Sequence, residues 1–490
     1  MTTETRTKYE TVIGLEVHIQ LKTRSKMFCG CDREYFDAEP NTHVCPVCLG
    51  MPGTLPVINE EAVASTLLAG LALGCTLPAY AKFDRKNYPY PDLMKGYQIS
   101  QFDQPFCLDG ELEIEVDGVR RAVHLERIHL EEDTARLMHR DNGIETYSLM
   151  DVNRAGSPLM ELVTKPDMHS AAEAGAFLRT LRQVMRYLRI ADADMEKGGM
   201  RCDANVSLRP IGQAELGRKV EVKNMNSFRS VQRAIEFEIE RQTRMLDANE
   251  RIVQETRGYV DATGETVSQR SKEEASDYRY FPEPDLPPVH VSPDTIEALR
   301  ARLPELPTAR RARFESQYEL SADEARHLTE SRADGDAFEE AVRLAGSEHA
   351  RPVAHWFAGE VARHLNGVGG EAELQDTKVT AQHIGDLVRL VAGNAITAAT
   401  AKDVLDVAFE TGELPEAIVD ARGLRQVTDA GAIDEVAQKA IAANPKAVED
   451  YRAGKQAAIG FLVGQVMREM KGRADANAAA ETIRRHLDAS

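Results

Sequence analysis

The sequence predicts an α+β protein: an amino-terminal mixed or antiparallel sheet domain with covering helices, followed by an all-helical domain and a small helical tail. Three observations carry this. Segments near the amino terminus and near residue 200 alternate apolar and polar side chains with the two-residue period of a strand. Two other segments carry apolar residues at helical spacing: Phe177, Leu181, Val184 and Leu188 within 171–189, and Phe228, Val231, Ile235, Ile239 and Leu246 within 227–246. From Phe281 to Pro307 the chain holds seven of its 21 prolines, and beyond them strand signals fade while alanine rises.

The bulk numbers bound the function. A chain of 490 residues is too long for one ordinary core, and 42% apolar with 28% charged residues is ordinary for a globular protein. The net charge of −19 argues against a broad basic groove but permits a local basic patch for a polyanion. The opening MTTETRTKYE lacks an apolar segment, and no run approaches the roughly 18 apolar residues of a membrane span, so a cytoplasmic protein is expected. Seven cysteines, an odd number, argue for metal binding or free thiols rather than a disulfide framework.

In the first strand, TVIGLEVHIQL at 11–21, Ile13, Leu15, Val17, Ile19 and Leu21 share one face. The opposite face carries Glu16 and His18, roughly 7 Å apart and pointing the same way, a pair able to hold a metal or to stand in solvent. Next come Cys29 and Cys31, then Cys45 and Cys48. Two close thiol pairs separated by a short excursion are what a tetrahedral zinc site requires, with His43 as a substitute ligand and four reduced spectator thiols as the alternative. Asn59 caps a helix, EEAVASTLLAGLALG, whose acidic first turn and terminal Gly74 suit the helix dipole and a C-terminal stop.

The segment KFDRKNYPYPDLMKGYQISQFDQP mixes Lys82, Arg85, Lys86 and Lys95 with Tyr88, Tyr90 and Tyr97, which suits phosphates or unpaired bases as well as a plain surface loop. Residues 111–162 read as strands and turns, with VDG at 116–118 marking a hairpin. Glu131, Glu132 and Asp133 close one strand, and Glu161 sits within the apolar run PLMELV, where a buried charge needs a cation or donors. In GGMRCDANVSLRP, Arg201, Asp203, Asn205, Ser207 and Arg209 oppose an apolar set, and VEVKN puts Glu221 and Lys223 opposite Val220 and Val222. These faces collect groups that bind metals and phosphates, so a shared polar cavity over a sheet competes with a solvated face.

Past the prolines, RPVAHWFAGEVARHL reads as helix with Trp356 as a core residue. Turns at GEL and RGL, near 412 and 423, precede the last helical unit. From Tyr451 onward there are seven Lys or Arg against four Asp or Glu, which suits an RNA backbone or an exposed helix end. The divisions expected are 1–295, 296–408 and 409–490. No internal repeat, P-loop, Rossmann glycine pattern or nucleophile elbow is found.

Taken together, ETVIGLEVHIQL, KFDRKNYPYPD, QISQFDQP, HLEEDTARL, DVNRAGSPLMELVT, MRCDANVSLRP, EVKNMNSF, DYRYFPEPDLPP and AIGFLVGQVM resemble the B-subunit family of the tRNA-dependent amidotransferase, in family order over nearly the whole chain. The resemblance implies a sheet cradle over 1–295 that holds the metal, ATP and acyl-tRNA end, a helical domain over 296–408, and a tRNA-binding tail over 409–490. It implies a heterotrimer in which an amidase A subunit releases ammonia from glutamine or asparagine and a small C subunit ties the chains together. The B subunit uses ATP to phosphorylate the side-chain carboxylate of misacylated Glu-tRNA(Gln) or Asp-tRNA(Asn), then aminates it.

Carried over by position, the family's Mg2+ site falls on His18, Glu132 and Glu161, with Glu16, Asp203 and Glu221 around the same cavity. An imidazole is atypical for Mg2+ and leaves Mn2+ open. Arg201 and Lys86 are the candidates for neutralising phosphate. The cysteine pairs occur in some members of the family, which supports a structural Zn2+ that the chemistry does not require. A non-catalytic tRNA-binding scaffold is the alternative, and the related subunit of the archaeal two-chain enzyme, which carries an extra inserted domain, is a third reading.

Overall fold

The first strand, β1 (Tyr9–Gln20), is the centre of the molecule's main sheet in a computed structural model that describes residues 8–271, 278–368, 372–426, 430–453, 455–470 and 474–488. The amino-terminal residues 1–7, Asp277 of the DYRYFPEPDLPP motif and the tail cations Lys471 and Arg473 lie outside the described residues. The chain forms two compact units, divided between Leu306 and Pro307.

Eight further strands complete the main sheet: β2 (Cys107–Leu108), β3 (Glu111–Val116), β4 (Val119–Glu132), β5 (Pro158–Thr164), β6 (Met200–Pro210), β7 (Val220–Met225), β8 (Glu255–Val260) and β9 (Glu265–Ser271). Their order is β9-β8-β7-β6-β1-β5-β4-β2, with β3 also paired to β4. Every pairing is antiparallel except β7 with β8, which is parallel, so the sheet is mixed. The hairpin expected at VDG joins β3 to β4, with Asp117 and Gly118 both at positive φ, as a two-residue turn of this hand requires.

Register follows from burial. Ile13, Leu15, Val17 and Ile19 are each 1% exposed or less. A one-residue slip would expose all four and bring Glu16 and His18 to the core face, at roughly 1.5–3 kcal/mol per exposed side chain, so the pairing of β1 with β5 and β6 is strongly determined. Two helices cover this apolar face: α2 (Ala171–Tyr187) and α3 (Phe228–Asp247). Ser170 caps α2 by accepting from the Glu173 amide, and Ser227 caps α3 by accepting from the Ser230 amide. Phe177, Leu181 and Val184 of α2 and Val231 and Ile235 of α3 enter the core, as their spacing predicts.

Against β4 packs α1 (Glu60–Ala72), capped by Asn59, whose Oδ1 accepts from the Ala62 amide. A small sheet pairs 281–282 with 84–87 and 84–87 with 97–100. It is locked by Arg85, whose guanidinium donates twice to buried Glu283, at 2.7 and 2.9 Å. The proline-rich stretch thus closes the first unit rather than linking two. Its helix, Pro293–Arg300, buries Leu299 in the same core and runs across the division expected at 295/296.

The second unit is helical throughout its described residues. One apolar core runs from Phe314 to Val419 through Phe338, Phe357, Leu387 and Val404. The helix Ala398–Thr411 crosses the division expected at 408/409, and Ile418 still belongs to this core. A separate cluster of Ile433, Leu462, Val466 and Ile483 gathers the helices Ala430–Ala443, Ala457–Glu469 and Ala476–Asp488. Trp356, expected in the core, is half-buried, and its neighbour Phe357 takes the interior position at the start of a π-helical turn.

Candidate active site

The polar face of the main sheet brings together side chains from β7, β6, β1, β5 and β4. Because the ladders are antiparallel and in register, Glu16 stands opposite Asp203, and His18 opposite both Arg201 and Glu161. On the far side of β5, Glu161 faces His129 of β4. Alternation then puts Glu131 on the same face as His129.

Two groups of metal-binding donors result. In the first, ligand atoms of His18, Glu131 and Glu161 lie within 4.8 Å of one another. The His18 Nε2 is 3.2 Å from Glu161 Oε2 and 3.8 Å from Glu131 Oε1. Ser100 of the small sheet donates to Glu131 Oε2 at 3.0 Å. In the second, Glu16, Asp203 and Glu221 converge with the same closeness, and the Lys223 ammonium pairs with Asp203 and sits 3.1 Å from Glu221. Asn205 donates to Glu16 at 3.0 Å, and Thr256 to Glu221 at 2.7 Å.

Glu132 is not in either group. It shares parity with Ile128 and Leu130, so its side chain leaves the polar face; there it accepts from Lys95 Nζ at 2.5 Å and from the Ile99 amide at 3.0 Å. The carboxylate beside His18 and Glu161 is that of Glu131, whereas the resemblance places Glu132 there. Of the other expected residues, Glu16, His18, Glu161, Asp203 and Glu221 reach the polar face. Lys86 approaches it from the small sheet, with its ammonium 5.0 Å from the Tyr278 ring centre. Arg201 forms a close ion pair with buried Asp133, which also accepts from Gln20 at 2.8 Å and lies 3.6 Å from Arg154.

The electrostatics follow from burial of these opposed charges. Burial works against ionised Glu161, but the imidazoles of His129 and His18 outweigh it and hold its carboxyl well below the usual carboxylate range. Burial likewise opposes charge on both rings, yet the carboxylates prevail: His18 is held above the ordinary imidazole value and His129 is pushed up to about 9. Glu131 is held low in spite of burial by Lys86 and His129, and Lys86 is raised in turn by Glu131. Asp133 is kept low against burial by Arg201 and Arg154.

A half-buried imidazole and two buried, ionised carboxylates form a donor set that fits a divalent cation. The hard oxygens suit Mg2+, and the nitrogen extends the fit to Mn2+. The four thiols Cys29, Cys31, Cys45 and Cys48 form a separate cluster within 4.8 Å, with the Cys45 and Cys48 sulfurs 3.9 Å apart. Tetrahedral zinc with Zn–S bonds of ~2.3 Å spaces its sulfurs by about 3.8 Å, so the cluster fits that metal. The hydrogen bond with Cys29 outweighs burial and pulls the Cys48 thiol down to about 4, while the same bond, with burial, raises Cys29. His43, the expected substitute ligand, is outside the four-sulfur group.

Residues that the sequence reading did not single out also build this face. His129 is 4% exposed, with its Nε2 3.3 Å from Glu161 Oε2. Its signal was present in the sequence: His129 and Glu131 repeat, two residues apart, the acid-and-imidazole pairing of Glu16 and His18. Among the described residues no helix is long and apolar enough to cross a membrane.

Residues 11–297 match the model of the GatB/GatE catalytic domain, and residues 336–487 match that of the GatB domain. The B subunit of the aspartyl/glutamyl-tRNA(Asn/Gln) amidotransferase from Dehalococcoides mccartyi strain CBDB1 is 53% identical over 490 residues, covering 98% of this chain and 99% of that one. The protein of the same name from Thermomicrobium roseum is 53% identical over 481 residues, with 98% and 99% covered. That from Herpetosiphon aurantiacus is 48% identical over 485 residues, with 99% and 100% covered. The chain carrying this two-group polar face therefore belongs to the GatB family, the family of the B subunits of the aspartyl/glutamyl-tRNA(Asn/Gln) amidotransferase.

Proposed function

We propose that this chain is the ATP-dependent half of a glutamine-hydrolysing tRNA amidotransferase, a carbon–nitrogen ligase acting on Glu-tRNA(Gln) or Asp-tRNA(Asn). One observation on the molecule carries the reading: His18, Glu131 and Glu161 converge from three adjacent strands on one buried, charged spot. The family's description as a catalytic domain favours an enzyme over a tRNA-binding scaffold.

A carboxylate does not react usefully with ammonia, because oxide would have to leave. In the first step the substrate's side-chain carboxylate oxygen bonds to the γ-phosphorus of ATP while the β–γ bridging bond breaks and ADP departs. In the second, the ammonia lone pair attacks the acyl carbon, the C–O bond to phosphate breaks, and the nitrogen sheds a proton to give the amide. His18, Glu131 and Glu161 would hold Mg2+ or Mn2+, which when bound offsets the negative charge of the ATP oxygens. Lys86 and Arg201 neutralise phosphate oxygens as charge shifts toward the leaving group. Glu16, Asp203 and Glu221 orient the incoming ammonia, with Asp203 and Glu221 holding Lys223, and the Glu16 carboxylate takes the one proton that the nitrogen sheds.

The four cysteines hold a structural Zn2+ in this reading. Ammonia comes from an amidase A subunit, with a small C subunit completing a heterotrimer in the cytoplasm. The helical tail binds the tRNA backbone through its basic end, from Tyr451 onward. The test is the purified complex given labelled Glu-tRNA(Gln) or Asp-tRNA(Asn), with and without ATP. Formation of labelled amide only with ATP supports the reading; ATP-independent amidation, or none with either tRNA, overturns it.

A further inference from the structure

Among the described residues, His129 is an imidazole of the polar face that neither donor group contains. It is 4% exposed, its Nδ1 is buried with no hydrogen-bond partner, and the contacts of its Nε2 are the two carboxylates: Glu161 Oε2 at 3.3 Å and Glu131 Oε2 at 3.8 Å. The same Glu161 oxygen lies 3.2 Å from His18 Nε2 on its other side. Pairing makes this bracket a row across three strands, because His18 and His129 are the ladder partners of Glu161 on β1 and β4.

The two rings are not equivalent. A nitrogen that ligates a cation presents its lone pair and can no longer donate a hydrogen bond. If His18 Nε2 serves as a ligand, its contact with Glu161 is given up, and His129 remains as the ring whose Nε2 faces the carboxylate, at 3.3 Å. Partners of this kind, one step behind the ligands, set ligand geometry and basicity. An apolar residue of the same shape would leave a buried Glu161 oxygen short of a donor.

We propose that His129 is a positioning residue: through its Nε2–H it orients Glu161, and secondarily Glu131, for divalent-cation binding. The inference rests on the metal reading given under Proposed function.

The test is Mn2+ binding to the full chain followed by electron paramagnetic resonance, with the site identified as the one lost in Glu161→Ala. His129→Phe, which keeps the bulk and removes the donor, is expected to weaken that site by about tenfold or more. His129→Gln, which keeps an N–H of similar reach, is expected to stay within about threefold of wild type, and His129→Asn, too short to reach, to follow the loss. The Gln and Asn pair decides the matter if the Phe variant does not fold. Equal Mn2+ affinity in wild type and His129→Phe, or equal losses in Gln and Asn, would overturn the role of His129 while leaving the metal site standing. Absence of any Glu161-dependent Mn2+ site in wild type would bring down the metal reading and this inference together.

Discussion

His18 on β1 and Glu161 on β5 are direct partners in an antiparallel ladder, with Nε2 of one 3.2 Å from Oε2 of the other. Glu131 completes the group from the next strand, and Glu132 turns away. Adjacent acids in sequence therefore stand on opposite faces of the strand. Replacing Glu131 by Gln should lower tRNA-dependent ATP hydrolysis by about 100-fold or more, because a ligand oxygen is lost from a charge-stabilising site. Replacing Glu132 by Gln should leave kcat within about tenfold and lower Tm, since it removes a buried partner of Lys95 and the Ile99 amide. Steady-state kinetics and thermal melts on both variants check this.

How far the sequence foretells this site depends on which kind of information each residue carries. The alternation in TVIGLEVHIQL and MRCDANVSLRP was enough to put Glu16, His18, Asp203 and Arg201 on one side of a sheet, because burial of the opposite side leaves a strand no choice of face. The same rule would have separated Glu131 from Glu132, since Ile128 and Leu130 share parity with Glu132; the resemblance by position overrode it. Pairing partners were not legible. Nothing local says that β5 lies beside β1, nearly 140 residues away in sequence, and so the row His18–Glu161–His129 appears only in the folded chain. The prolines after Phe281 mark real turns, yet two of those segments return to pair with strands near 80–85, which a local reading takes for a linker.

Asp133 ties the polar face to the loop that follows β4. Its folded pKa lies below the ordinary value, so the stability it contributes is present above about pH 4 and is lost as pH falls through the folded value. Asp133→Asn should flatten that part of the acid-unfolding profile. At pH 7 it should cost about 3 kcal/mol, since Arg201 and Arg154 lose the buried charge they face. Denaturant melts from neutral to acidic pH test both effects.

Zinc analysis of the purified chain should find about one ion per molecule, as four converging thiols require. Cys48→Ser should release it and lower the Tm of the first unit by several degrees, with ATP hydrolysis retained, because a closed site of four sulfurs has no open position for chemistry. Metal-free wild-type protein would remove the basis for this expectation.

Divalent-cation affinity at the His18 group should rise with pH. The folded ring holds its proton above the ordinary imidazole value, and a protonated ring has no lone pair to give. Affinity for Mn2+ should therefore increase from about pH 6 to about pH 8, by up to roughly tenfold per unit while His18 is protonated. Titrations at three pH values would expose a flat profile, which this site does not allow.

The most direct measurement is ADP release by the assembled complex carrying Glu161→Ala, in the presence of misacylated tRNA and glutamine. With one carboxylate of the His18–Glu131–Glu161 group gone, tRNA-dependent ADP release should fall to background while glutamine hydrolysis by the partner subunit is still detected. ADP release at the wild-type rate would contradict the account.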